Sequence, residues 1–212
     1  MNHNYVAVIG TMGVGKSTAA EVLAKGLNFQ LFPEQFTDNP FLSKYYNDDP
    51  HLWSYKSQTK FLLDIIDQTH LITQQNNHTS VIQDSYIGQY VYSYAYAQYK
   101  LGYMSKDEWK QYCQTKKDYG KGLKRPNLLV YLWAPVPVCI DRILKRDRSF
   151  EKADQAYVEL LDSSLYGWVS TQKLIQVLKV KTDTYDIAHD REVQHDFVEN
   201  VRVALKVVNN TQ

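Results

Sequence analysis

The chain has 212 residues, 44% of them hydrophobic, and a formal net charge of +1. That suits one compact domain with a full core, and it excludes both a disordered segment and a chain that binds nucleic acid through bulk charge. Two cysteines, Cys113 and Cys139, lie outside any CxxC pair, and the six histidines show no HExxH spacing, which excludes a disulfide framework and the usual zinc sets.

The first apolar run, Tyr5–Ile9, reads as a buried strand and is too short for a signal peptide or a membrane span. A cytoplasmic protein with no membrane partner is therefore expected. A helix is predicted over 16–25, closed by Gly26 as its C-cap. Residues 29–34 form a second strand-like run. Leu52, Tyr55, Leu62, Ile66 and Ile72 keep helical spacing over a long segment. A third strand is predicted over 80–83. Ser105-Lys-Asp-Glu108 is a capping-box pattern that opens another helix. Strands over 127–133 and 174–180 and helices over 154–171 and 191–207 complete the series. Alternating β and α elements predict an α/β fold: a five-stranded parallel sheet with helices on both faces, in one domain spanning 1–212. The 17 tyrosines are read as amphipathic rings for core and interface.

The strongest motif is Gly10-Thr-Met-Gly13-Val-Gly15-Lys16-Ser17, which satisfies GxxxxGK[ST] at every fixed position. A strand precedes it and a helix follows it, as the motif requires. The glycines let backbone N–H groups curl around phosphate oxygens, and the helix N-terminus adds its positive dipole. Lys16 is expected to reach the β- and γ-phosphates of ATP, and Ser17 to offer its hydroxyl to Mg²⁺. Gly10, Gly13, Gly15, Lys16, Ser17 and Thr18 form the expected phosphate cradle. The dinucleotide-binding GxGxxG reading fails, because Lys16-Ser17-Thr18 follows Gly13-Val-Gly15 where a third glycine belongs. The phosphate-loop kinase fold is the expected architecture.

A phosphate loop does not by itself separate a kinase from a GTPase or a motor. The guanine-reading NKxD pattern is absent, and the chain is short for a motor. Arg142, Lys145, Arg146 and Arg148, followed by Glu151, form a basic segment over 142–151 that can act as a lid over transferring phosphates. The competing reading is a solvated basic helix end. Two acids fall at strand ends, Glu34 as the last residue of the second and Asp84 just after the third. In an open parallel sheet both would face the crevice that holds Lys16. A hydroxyl acceptor needs a carboxylate to take its proton, and a magnesium ion needs oxygen ligands, for which Ser17 and Asp84 are the candidates. Each acid taken singly reads more readily as a loop residue or an N-cap; the two together, at two strand ends, favour a functional role.

Taken together, these residues resemble the deoxynucleoside kinase family, and within it the bacterial deoxyadenosine/deoxyguanosine branch. The resemblance rests on the order of the phosphate loop, Glu34, Asn39-Pro-Phe-Leu42 with Tyr45-Tyr46, Trp53, Gln58, Phe61-Leu62, Val81-Ile-Gln-Asp84, Pro126-Asn-Leu-Leu-Val-Tyr131, the 142–151 segment and Tyr157, Leu160, Tyr166 and Trp168. It implies transfer of the γ-phosphate of ATP to the 5′-hydroxyl of a deoxynucleoside, with a deoxypurine as the expected acceptor. It implies that Glu34 is the general base, Gln58 pairs with the base edge and Trp53 walls the base pocket. Tyr46 (or Tyr45) and Glu151 would hold the sugar 3′-hydroxyl. Arg142, Arg146 and Arg148 would cover the phosphates, and the 183–191 loop with Asp186 would lie near the adenine of ATP. A homodimer, or a heterodimer with a related subunit, is the implied assembly.

The chain departs from the family pattern at several positions. Where members usually carry Asp-Arg-Ser or Glu-Arg-Ser, it has Asp84-Ser85-Tyr86. An arginine common on the base-binding helix aligns with Ile65, and its acidic partner aligns with Tyr90. Tyr46 and Trp53 are one residue further apart than usual. Two other readings follow: a weakly catalytic or non-catalytic nucleotide-binding subunit, which Ser85 favours, and a nucleoside monophosphate kinase, which would need an arginine near Glu34. If a cation replaces the missing arginine, Lys44, Lys56 and Lys60 are the candidates; otherwise the enzyme is slow.

Overall fold

The computed structural model describes residues 3–75, 78–146 and 154–211. Strands β1 (Tyr5–Ile9), β2 (Gln30–Phe32), β3 (Val81–Asp84), β4 (Leu128–Trp133) and β5 (Gln176–Lys181) pair in parallel in the order β2-β3-β1-β4-β5. Around them lie α1 (Lys16–Leu27), α2 (Leu42–Asn47), α3 (Pro50–Gln75), α4 (Ile87–Gln89), α5 (Tyr96–Lys100), α6 (Lys106–Tyr119), α7 (Val136–Lys145), α8 (Gln155–Ser170) and α9 (Arg191–Thr211). No helix among the described residues is long and apolar enough to cross a membrane.

The apolar run of β1 serves two cores at once. Val6 and Val8 pack with Ala19 and Leu23 of α1 and with Phe197 and Val201 of α9. Tyr5, Ala7 and Ile9 pack on the other face with Ile72 of α3 and Leu165 and Val169 of α8. A strand covered on both sides needs no polar alternation, which is why this one reads as a continuous run. A third core lies under α3, where Leu62, Ile65 and Ile66 meet Ile87, Tyr90, Val91 and Tyr112.

Several boundaries differ from expectation for identifiable reasons. Helix α1 runs past Gly26 to Leu27, and Asn28, at φ 55°, is its left-handed cap. Gly26 instead admits α9: a Cβ there would sit 2.5 Å from Val198 Cγ2. Strand β2 stops at Phe32, so Glu34 lies in the loop beyond it, while Asp84 is the last residue of β3 itself. Leu174 is exposed and precedes β5. The capping box of α6 is formed, with Ser105 and Glu108 exchanging bonds. The helical stretch after β3 has no counterpart in the sequence reading. It passes from α4 through a π-helical turn, Tyr90–Ala95, into α5. A π-turn inserts an extra residue, so the 3.6-residue period that would announce a helix is broken.

Candidate active site

The chain leaves β1 toward β2 at one edge of the sheet and leaves β4 toward β5 at the other. Ligands of open α/β sheets lie beyond the strand carboxyl ends where connections diverge in this way. A cavity of about 870 Å³ opens there. Its floor is the loop from Met12 to Thr18, which enters α1 at Lys16. Gly13 is at φ 81°, and a Cβ on it would collide with the Cys139 carbonyl of α7. Gly15, at φ 100°, is the N-cap of α1 and has nothing within 4 Å of the Cβ position. Positive φ at both positions turns the backbone through a curve that other residues rarely adopt. Lys16 is nearly buried, its Nζ donating to the Thr11 carbonyl at 3.3 Å.

Three neighbours fix this loop. Gln89 Oε1 accepts the Gly10 N–H at 2.8 Å. The Thr182 hydroxyl donates to the Val14 carbonyl at 3.0 Å. The Arg142 guanidinium donates to the Val14 carbonyl at 3.3 Å, to Thr182 Oγ1 at 3.0 Å and to the Thr182 carbonyl at 2.6 Å. Arg142 thus lies on α7 and ties the phosphate loop to the end of β5, rather than standing clear as a lid residue. Arg146 follows α7 and lines the cavity with Lys145. Arg148 and Glu151, expected on the lid and at the sugar, lie outside the described residues. The 182–189 segment lines the same end of the cavity, Asp186 included. Asp186 accepts from the Ala188 N–H at 3.1 Å and the His189 N–H at 3.2 Å, which closes the turn on itself.

The opposite end is aromatic and carries the other candidates. Glu34, Tyr45, Tyr46, Gln58, Phe61, Tyr90, Tyr94 and Tyr157 line it. Gln58 is 3% exposed, and its Oε1 has no hydrogen-bond partner. A buried acceptor facing a cavity without a partner is a position for a ligand donor. Trp53 is not brought to this wall. Its ring stacks on Phe41 at 6.0 Å, the Lys44 and Lys56 ammonium groups each lie over it, and its N–H donates to Asp48. Those contacts also occupy two of the three lysines considered as substitutes for the missing arginine. The third, Lys60, pairs with Asp64 along α3. None of the three lines the cavity. Ser85 is fully buried, with an unpartnered hydroxyl, and is joined to Asp84 by a cis peptide bond.

Asp84 lies beneath the floor, 2% exposed, hydrogen-bonded to Ser17 and with its Oδ1 unpartnered. Burial, then the Glu34 charge, push its carboxyl up from 3.8 to about 6, against the pull of Lys16 and the Ser17 hydroxyl. A raised acid favours folding most when protonated. Its contribution is therefore complete below about pH 3.8 and is lost as pH rises through about 6. Asp84→Asn should remove that loss and stabilise the nucleotide-free protein at pH 7.5, by on the order of 3 kcal/mol for a two-unit shift. Thermal melts of both forms at pH 4.5 and pH 7.5 check this: the variant's advantage must grow with pH.

Residues 6–206 match the family model described as deoxynucleoside kinase. The chain belongs to the deoxynucleoside kinase family. It is 28% identical to a deoxyadenosine/deoxycytidine kinase of Bacillus subtilis over 94% of this chain and 92% of that one. It is 30% identical to a deoxyguanosine kinase of the same organism over 75% of each. Among solved structures, a deoxyadenosine kinase from M. mycoides with bound dCTP shares the fold, with a TM-score of 0.77 at 22% identity over 94% of this chain and 99% of that one. A phosphotransferase of the deoxynucleoside kinase type, acting on nucleosides, is therefore the activity of this chain's family.

In this member of the family, some residues around the cavity had no signal in the sequence. Gln98 of α5 accepts from the Ser54 hydroxyl at 2.5 Å and donates to the Tyr157 hydroxyl at 3.2 Å, which links α3, α5 and α8 behind the aromatic wall. Gln89, which holds Gly10, belongs to the same unforeseen helical stretch. Gln89 stands just before the π-turn and Gln98 just after it.

Proposed function

We propose that this kinase transfers the γ-phosphoryl group of ATP to the 5′-hydroxyl of a deoxynucleoside, with deoxypurines preferred and deoxyadenosine ahead of deoxyguanosine. The observation that carries this reading is one cavity with a phosphate-shaped floor at one end and, at the other, an aromatic slot holding a carboxylate and an unpartnered amide. The acceptor hydroxyl oxygen attacks the γ-phosphorus while Glu34 takes its proton. The bond from phosphorus to the β–γ bridging oxygen breaks, and ADP leaves. Lys16, Arg142 and Arg146 surround the phosphate end, where charge is spread over the transferring group. Ser17 and Asp84 are hard oxygen donors that touch each other, and Asp84 keeps an unpartnered oxygen, so this pair suits Mg²⁺. When bound, the ion neutralises phosphate charge. Tyr46 and Glu151 hold the sugar, Arg148 completes the lid, and the Asp186 turn sits at the ATP base. The whole chain acts as one domain, in the cytoplasm, as a homodimer or with a related subunit, and takes no nucleic acid partner.

Gln58 fits a purine acceptor, since its amide offers a donor and an acceptor and a purine edge answers both, as a pyrimidine edge also can. Each of the two Bacillus subtilis relatives is named for a deoxypurine, one for deoxyguanosine and the other for deoxyadenosine together with the pyrimidine deoxycytidine. A monophosphate acceptor is disfavoured: the cations lining the cavity among the described residues, Lys16, Arg142, Lys145 and Arg146, come from α1 and from α7 and its C-cap, and none belongs to the segments that carry Glu34, Gln58 and Tyr90. The deciding measurement is ATP consumption with each of the four deoxynucleosides and their monophosphates. Preference for thymidine or deoxycytidine would overturn the purine assignment, and turnover only with monophosphates would overturn the acceptor.

Ser85 favours slow turnover. It cannot supply the charge or reach of an arginine, and the three candidate lysines are held at Trp53 and Asp64. Ser85→Arg should therefore raise kcat severalfold with little change in ATP affinity. An unchanged or lower kcat would mean that the cation needed at the acceptor already comes from another residue.

A further inference from the structure

Glu34 lies in a loop with no strand to hold its side chain. Two contacts from outside that loop restrain it. Gln68 of α3 donates to the Pro33 carbonyl at 2.9 Å, and the Tyr90 hydroxyl donates to Glu34 Oε1. We propose that Tyr90 is a positioning residue for phosphoryl transfer, its hydroxyl holding the Glu34 carboxylate toward the acceptor hydroxyl. The proposal rests on Glu34 acting as the base.

Tyr90 is built to hold a position. It is 4% exposed, and its ring stacks on Phe61 at 5.9 Å and lies 6.1 Å from Tyr94. It opens the π-helical turn, and the residue before it, Gln89, accepts the Gly10 N–H. One short segment thus touches the phosphate loop with Gln89 and the carboxylate with Tyr90, which couples the acid's position to that of the phosphates. Burial and the Glu34 charge both push the Tyr90 phenol up, so it stays a donor. The hydroxyl occupies one carboxylate oxygen and leaves the other for the acceptor proton.

Without that hydroxyl the carboxylate loses the side-chain contact that holds it. A small, partly open pocket of about 20 Å³ adjoins the pair, lined by Glu34, Gln35, Phe61, Asp64, Ile65, Gln68 and Tyr90. Ile65 is buried in the core under α3 and offers no polar partner there. A carboxylate free to swing away loses the alignment that proton transfer requires.

The test is Tyr90→Phe, alone and combined with Glu34→Gln, with kcat and both KM values measured for deoxyadenosine and ATP. Alone, the change should lower kcat roughly 10- to 100-fold, the scale of a misplaced catalytic group, with KM values nearly unchanged. In the Glu34→Gln background it should lower kcat no further, because there is no base left to position. Normal kcat in the single variant overturns the proposal. So does an equal loss in both backgrounds, or a rise in KM at constant kcat, which would make Tyr90 a wall of the substrate slot. Full activity in Glu34→Gln by itself overturns the base assignment beneath the proposal. Should Tyr90→Phe not fold, 3-fluorotyrosine at position 90 keeps the shape and strengthens the donor. It should change kcat only where Glu34 is present, and equal kcat with and without fluorine in the Glu34 enzyme overturns the proposal.

Discussion

Lys16→Ala should lower turnover by at least ~10²-fold, the scale expected when one preorganised electrostatic donor is removed from a transferring phosphoryl group. The lysine follows Gly15 at the start of α1 and lies on the cavity floor, nearly buried, with its Nζ held at the Thr11 carbonyl. A cation in so little water is worth more than one on the surface. Lys16 is also the principal positive charge acting on Asp84. Its removal therefore leaves two carboxylates, Asp84 and Glu34, facing each other with less compensation. Steady-state kinetics with saturating ATP and deoxyadenosine give the answer. Near-normal phosphorylation by the variant would remove Lys16 from the chemistry and with it the phosphate-loop assignment.

Glu34→Gln should lower kcat by about 10²- to 10⁴-fold, the range for loss of a general base, while ATP still binds. The amide keeps the shape of the carboxylate and can still accept the Tyr90 hydrogen bond, so the slot should stay intact. Calorimetric titration with ATP separates the possibilities. Unchanged ATP affinity with collapsed kcat assigns Glu34 to proton removal. Collapse of both would make Glu34 structural or a cation ligand.

Much of this protein was legible one residue at a time. The phosphate loop follows from local chemistry: glycines where the backbone must turn through positive φ, a lysine and a serine at the helix start, and an apolar strand before them. The central strands and the parallel sheet follow from short apolar runs alternating with helical spacing, because a strand buried on both faces, as β1 is, can carry no polar alternation. The capping box at Ser105 is likewise a local bargain between neighbours, and it formed as read.

What only the tertiary structure decided concerns residues whose partners are distant in the chain. Gly26 looked like a helix end but serves the approach of Val198, 172 positions later, while Asn28 caps the helix. Trp53 carries no sign in its neighbours of whether it faces a cavity or stacks on Phe41, and packing chose the latter. Arg142 has helical spacing to Arg146, yet the end of β5 and the carbonyl of Val14 claim its guanidinium. The stretch holding Gln89, Tyr90 and Gln98 was invisible because its π-turn removes the periodicity by which helices are read. Local conformation depends on a few consecutive residues and so leaves a pattern along the chain. A side chain's partner depends on which surfaces the whole fold brings together, and no local spacing records that.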